Sequence, residues 1–112
     1  MATAIDFEDI FTALKQKVEE LAKSFLQHYT KAAIKDGKKF LEETRENLKR
    51  WTTLLMEKRL TTADFEWLVL SQKDLAEMVA LKQAGLSVIR IQQFRDSLLN
   101  LVVDTVFGLI KI

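Results

Sequence analysis

The chain has 112 residues, of which 48% are hydrophobic and 29% are charged, and its formal net charge is +1. This composition is typical of one globular domain, here residues 1–112, and not of a disordered chain. The small net charge indicates no overall attraction to nucleic acid, and the absence of cysteine excludes disulfides, thiolate catalysis and cysteine-based zinc sites.

The first half of the chain predicts one long helix. Proline is absent and glycine occurs only three times, so turn-forming residues are scarce and the chain is expected to be all-α. Between Phe11 and Leu55 a mostly apolar stripe recurs about every 3.7 residues without losing phase. This periodicity predicts a helix over about 7–58. Gly37 is its weak point, but the capping chemistry there is poor, so we expect the helix to continue through it.

The clearest break in the sequence falls at about 59–62. Thr61 or Thr62 is a good N-cap, and Asp64 then lies in the first turn of the next helix, where the helix dipole favours acids. The residues just before the break include Lys58, and basic residues are favoured in the last turn of a helix. The sequence therefore predicts a tight antiparallel turn here.

A second helix is predicted over about 63–111, with a break or kink near 85–87. Gly85 suits the left-handed position that ends many helices, and Leu86 could then pack back on Leu81. The serine that follows is a good N-cap for another helical segment.

The end of this second helix is apolar over most of its circumference. One neighbouring helix cannot surround such a surface, and each large side chain left in water forgoes about 1.5–3 kcal/mol of burial free energy. We therefore predict that this surface is an interface for self-association. Its candidate residues are Leu98, Leu101, Val102, Val106, Phe107, Leu109 and Ile110.

Two architectures satisfy these observations. The favoured one is a long, coiled-coil-like antiparallel helical hairpin, which dimerises into a four-helix bundle. The alternative is a monomeric four-helix bundle with breaks at Gly37 and Gly85. The hairpin is favoured because the signals for a break at Gly37 are weak.

The sequence offers no motif for catalysis, for a cofactor or for a metal. His28 is the only histidine, so the paired Glu-x-x-His pattern of di-iron bundles is absent, and His28 is expected at the surface. The serines lie in no nucleophile motif, and no glycine-rich phosphate loop occurs. Trp51 and Trp67 are expected to anchor the turn end of the hairpin by burial.

The predicted function is a non-enzymatic structural or protein-interaction module that self-associates through its apolar C-terminal helix as a homodimer. A further protein partner is possible, and no nucleic-acid partner is expected. The alternative is a helical protein that binds lipid or another apolar surface. The sequence does not decide whether the bundle contains an internal cavity for an apolar ligand. The lack of cysteine and of a signal-peptide pattern favours a cytoplasmic location.

Overall fold

The computed structural model describes residues 6–111, and these form five α-helices, one 3-10 helix and no strand. The prediction of an all-α protein is confirmed. The helices are α1 (Phe7–Phe25), α2 (Thr30–Met56), α3 (Thr62–Leu70), the 3-10 helix (Ser71–Leu75), α4 (Val79–Gln83) and α5 (Val88–Ile110).

The predicted single helix over 7–58 is wrong, because the chain leaves the helix between Phe25 and Thr30. Leu26 ends α1 and is buried, and the Thr30 hydroxyl donates to the Leu26 carbonyl over 2.9 Å. The turn lets α1 fold back against α2, so that the two helices bury their apolar faces in one core. Since both faces point at that core, the periodicity stays in phase across the turn and gives no sign of it.

Gly37 lies inside α2, so the break that the monomeric-bundle alternative places there does not exist. The glycine has a packing role instead. A Cβ atom at this position would stand 2.5 Å from Val18 Cγ1 and 3.8 Å from Leu98 Cδ1. Gly37 therefore lets α1 and α2 approach each other closely, at a level where α5 also reaches the same core.

The turn between α2 and α3 is built from two capping motifs. Lys58 adopts the left-handed conformation, with φ of 60°, and the Arg59 N–H donates to the Leu54 carbonyl over 2.9 Å. Together these features form a Schellman motif with lysine in the position that usually holds glycine. Thr61 then caps α3, because its hydroxyl accepts from the Asp64 N–H over 3.0 Å.

The chain between this turn and α5 does not form the single helix expected from residue 63 onward. It consists of α3, the 3-10 helix and α4, and we call these three segments the broken pass. Met78, just before α4, takes the left-handed conformation with φ of 56°, and its side chain is buried. A non-glycine residue pays about 1–3 kcal/mol for such a backbone, so neighbouring contacts must hold it in place.

The contact that holds α4 is made by Asp36 of α2. Its carboxylate accepts from the backbone N–H groups of Ala80 and Leu81, over 2.9 and 2.8 Å. Asp36 is only 5% exposed, and it occupies a position in the otherwise apolar stripe of the first half. It therefore acts as an N-cap supplied from another helix, which satisfies amides that no neighbour in α4 could satisfy.

The end of the broken pass turns into α5 through a second Schellman motif. Gly85 has φ of 89°, and the Leu86 N–H donates to the Leu81 carbonyl over 3.2 Å. Ser87 then caps α5 by accepting from the Arg90 N–H over 3.3 Å. The glycine and serine in the predicted kink region thus each supply the capping chemistry that their residue types favour.

Contacts between elements join the helices around one core. α1 packs on α2 and α5, and the broken pass returns along α2. Phe65 of α3 lies 5.6 Å from Phe107 of α5 between ring centroids, and Phe25 of α1 lies 6.2 Å from Phe94 of α5. The largest fully buried side chains belong to Phe40, Phe65, Phe94, Ile10, Leu14, Leu26, Leu41, Leu48, Leu81 and Leu98.

The Asp36 cap can be tested by truncation. We expect Asp36→Ala to lower the free energy of unfolding by about 2–4 kcal/mol, because one buried and one partly buried amide lose a charged acceptor. Urea denaturation measures the change. Glu42→Ala, an exposed acid on the same helix, should change stability by less than about 0.5 kcal/mol. Equal effects of the two variants would contradict the capping role.

The close approach at Gly37 gives a second prediction. Gly37→Ala should destabilise the fold by about 1–3 kcal/mol through overpacking, although alanine is the better helix former. In a double-mutant cycle, Val18→Ala should recover about 1 kcal/mol or more of that loss, because it removes the Cγ1 atom that the new methyl meets. Strictly additive effects in urea denaturation would show that the contact does not limit residue 37.

Candidate interaction surface

The seven residues predicted as a self-association interface divide into two groups. Leu98, Val102 and Val106 are fully buried in the core of the single chain. They cannot contact a second copy unless the helices of the chain separate. The other four are half-buried and contact the core from its edge: Leu101, Phe107, Leu109 and Ile110.

The half-buried part of α5 borders an open groove of about 650 Å³ between α1 and α5. We call it the α1–α5 groove. Leu101 and Leu109 supply apolar surface to it, and two charged side chains lie on its walls, Lys17 from α1 and Asp104 from α5. The remaining lining residues are small or polar: Ala13, Ser97, Asn100, Thr105 and Gly108.

Gly108 is unusual among the lining residues because no packing contact within the single chain requires a glycine at this position. A Cβ atom built there would meet no atom within 4 Å, and Gly108 lies in the last turn of α5. Glycine in a helix costs about 0.5–1 kcal/mol relative to alanine. In contrast to Gly37, Gly108 keeps space open outside the core, and this space belongs to the α1–α5 groove.

Phe107 has a different role from the other half-buried members of the set. Its ring packs on Phe65 of α3, which is itself fully buried. Phe107 therefore joins α5 to the broken pass within one chain. The part of the predicted interface that faces the groove is thus reduced to Leu101 and Leu109.

The structure places the two tryptophans differently, and the expectation that both are buried is wrong for one of them. Trp51 is buried in the core, whereas Trp67 is 68% exposed on α3. Phe65 and Trp67 are two residues apart on α3 and point in nearly opposite directions, so only one of the two rings can face the core. Phe65 takes the inward position because it faces Phe107, and Trp67 lies about half a turn away.

The described residues contain no group of three or more histidine, aspartate or glutamate side chains that could hold a metal ion. His28 is exposed in the turn between α1 and α2. A small enclosed space beside Asp36, Glu43 and Glu77 has a volume of about 10 Å³, which is the size of one water molecule at most. Both oxygens of Asp36 already accept hydrogen bonds from backbone N–H groups, so its carboxylate has a structural role as a helix cap.

Ion pairs on the surface of α1 and α2 join the two helices. Lys38 lies 2.6 Å from Glu19, and the hydrogen bond and charge of Lys38 lower the pKa of Glu19 below its usual value. Arg45 contacts Glu8, and its guanidinium also lies over the rings of Phe7 and Phe11. Partly exposed pairs of this kind contribute little to stability, and the apolar packing of α1 on α2 sets their register.

Comparisons of the chain with protein-family models, with curated proteins and with solved structures each returned no match. Within residues 6–111, none of the helices combines the length and the apolar character that a crossing of the bilayer requires. The features of the chain's own surface therefore carry the functional interpretation.

The two groups of predicted interface residues should respond differently to charge. Val106→Asp would place an unpaired carboxylate in the core, so we expect it to abolish cooperative thermal unfolding measured by circular dichroism. Leu101→Asp, at the half-buried edge of the groove, should keep a cooperative transition and lose less than about 2 kcal/mol. If both variants unfolded alike, Leu101 would belong to the core and not to the groove.

Proposed function

We propose that the protein is a non-enzymatic structural or interaction module that self-associates as a homodimer through the α1–α5 groove. The observation that carries this proposal is the combination of exposed apolar edge and unfilled helical glycine in one groove. Leu101 and Leu109 offer apolar surface, and Gly108 leaves room for a second helix to approach. In a dimer with two-fold symmetry, the groove of one copy would face the same groove of the other copy.

The charges of the groove support a second copy of the chain as the occupant. One cation, Lys17, and one anion, Asp104, lie on opposite walls. A groove with charges of a single sign would repel its own copy, whereas this one is self-complementary in sign. In a two-fold arrangement, the acidic wall of one copy can face the basic wall of the other.

The area of this side of the molecule is sufficient for a stable pair. The molecule measures 49 × 24 × 19 Å along its principal axes, and the groove lies between α1 and α5. Stable protein interfaces bury about 800 Å² on each partner. A long side of these dimensions provides that area, and the proposed four-helix assembly in the dimer forms around α1 and α5 of both copies.

We propose a role without catalysis, and the composition of the groove supports it. Its polar groups are one lysine, one aspartate, one asparagine and two hydroxyls, with neither histidine nor cysteine among them. We propose a cytoplasmic location together with this role, on the basis of the cysteine-free sequence.

Gly108→Arg provides the test of the groove. The arginine has free space in the single chain, lies one turn after Asp104, and places a cation in the last turn of α5. We expect the monomer to be as stable as the wild type, or more stable by about 0.5–1 kcal/mol. In the dimer the same side chain fills the groove, so light scattering after size exclusion should show a monomer.

The matched control is Gln92→Arg, which adds the same charge to an exposed position of α5 outside the groove. It should leave the dimer intact. The proposal fails if the wild-type protein is monomeric at micromolar concentration, or if Gly108→Arg and Gln92→Arg assemble equally well. Thermal unfolding of each variant, followed by circular dichroism, separates loss of assembly from loss of fold.

A further inference from the structure

One end of the molecule is built from two stretches of chain, residues 21–35 and 78–94, and we call it the basic tip. The first stretch holds the turn between α1 and α2, and the second holds α4 and the start of α5. Side-chain contacts bring them together: Arg90 donates to the Phe25 carbonyl over 3.3 Å and lies 5.7 Å from the centre of the Phe25 ring.

The basic tip contains no acidic residue. It holds five of the 17 basic residues and none of the 16 acidic ones, which leaves the rest of the chain with a net charge of about −4. The overall charge of +1 is therefore the sum of a positively charged tip and a negatively charged remainder. All five basic side chains of the tip are exposed, and they are Lys23, Lys31, Lys35, Lys82 and Arg90.

No ion pair within residues 6–111 includes a basic residue of the tip. The nearest acids on α1, Glu19 and Glu20, pair with Lys38 and Lys17, which lie outside the tip. The first turns of α2 and α5, which both begin at this end, also contain no acidic residue. The buried carboxylate of Asp36 borders the tip and accepts from the N–H groups of Ala80 and Leu81, and Glu19 lies near enough to Lys23 to interact with its charge. The exposed cations of the tip nevertheless have no ion-pair partner among the described residues.

The tip also carries the most exposed aliphatic side chains among the large hydrophobic residues of the described chain. Val88 and Ile89 are 69% and 68% exposed and are adjacent at the start of α5. Leu86 beside them is half-buried. Two exposed aliphatic side chains, in stretches whose charged residues are all cations, form a small amphipathic surface, which differs from the mixed charges of the remaining surface.

The size of the tip argues against a protein partner of ordinary affinity. The end of the molecule measures 24 × 19 Å, or roughly 450 Å², whereas stable protein interfaces bury about 800 Å² on each side. The side chains argue against a single-stranded nucleic acid, because bases stack on exposed aromatic rings. The phenylalanine and tyrosine rings of the tip, those of Phe25, Tyr29 and Phe94, are half-buried or buried, and the imidazole of His28 is its one exposed ring. A single small ring does not provide the successive stacking surfaces that a single strand uses.

We propose that the basic tip docks on an anionic phospholipid membrane. The lysines and Arg90 face the headgroup phosphates, and Val88 and Ile89 enter the boundary between headgroups and acyl chains. Docking by the short end sets the long axis upright on the surface. The contact leaves the α1–α5 groove free, so it does not depend on self-association.

Vesicle flotation with the full chain tests this proposal. The probes are vesicles of phosphatidylcholine with about 30% phosphatidylserine, and vesicles of phosphatidylcholine alone, at about 0.1 M salt. We expect binding to the anionic vesicles only. Lys31→Glu with Lys35→Glu should lower the partition coefficient about 30-fold or more, and Val88→Ser with Ile89→Ser about tenfold.

The matched control is Lys49→Glu with Lys73→Glu, which makes the same change of charge at exposed positions outside the tip. It should alter the partition coefficient by less than about threefold. All substituted side chains are exposed, and unchanged thermal unfolding would show that each variant folds. Equal binding to neutral vesicles, or equal loss in the tip and control variants, would overturn the proposal.

Duplex DNA of mixed sequence serves as the competing probe. If the chain bound DNA but no vesicle, and if Lys31→Glu with Lys35→Glu removed that binding, the tip would be a nucleic-acid surface and the membrane proposal would be wrong. The Gly108→Arg variant, which is expected to be monomeric, should still bind anionic vesicles, because each monomer carries one basic tip. Failure of the dimer proposal therefore leaves the vesicle result intact, and the two proposals can fail separately.

Discussion

The buried carboxylate of Asp36 is the contact on which the arrangement of the broken pass depends. Its two hydrogen bonds hold the start of α4, although Met78 before it adopts a left-handed backbone. α4 in turn ends in the Schellman motif at Gly85, which directs the chain into α5. A single side chain of α2 therefore holds the first turn of α4 in place, just before the chain turns into α5.

The parts of the fold that could be predicted from sequence are those decided by local chemistry. Thr61 and Gly85 identify helix ends because their side chains and backbone preferences act within a few residues. The turn at residues 26–29 contains no glycine or proline, and its local contacts, such as that of the Thr30 hydroxyl with the Leu26 carbonyl, can equally form inside a continuous helix. The cap by Asp36 spans 44 residues of sequence, and its one visible sign is an acid within an apolar stripe.

The candidate surfaces show the same division. Apolar periodicity correctly indicates that α5 lies against other helices, but it cannot state which copy of the chain supplies them. Leu98 and Val106 are fully buried by helices of the same chain, whereas Leu101 lies half-buried at the edge of the groove. The basic tip could have been found from sequence as two stretches free of acids. The net charge of the whole chain does not reveal this pattern, because the basic tip and the acidic remainder nearly cancel. Only the fold shows that the two stretches lie next to each other.

The separation of charge has a consequence for the approach of the molecule to any charged surface. Cations gathered at one end and a net negative charge elsewhere give the molecule an electric dipole with a component along its 49 Å axis. An anionic surface exerts a torque on such a dipole within about one Debye length, near 10 Å at 0.1 M salt, and turns the tip forward before contact. Fewer encounters are then lost to unproductive orientations, so added salt slows arrival more than it speeds departure.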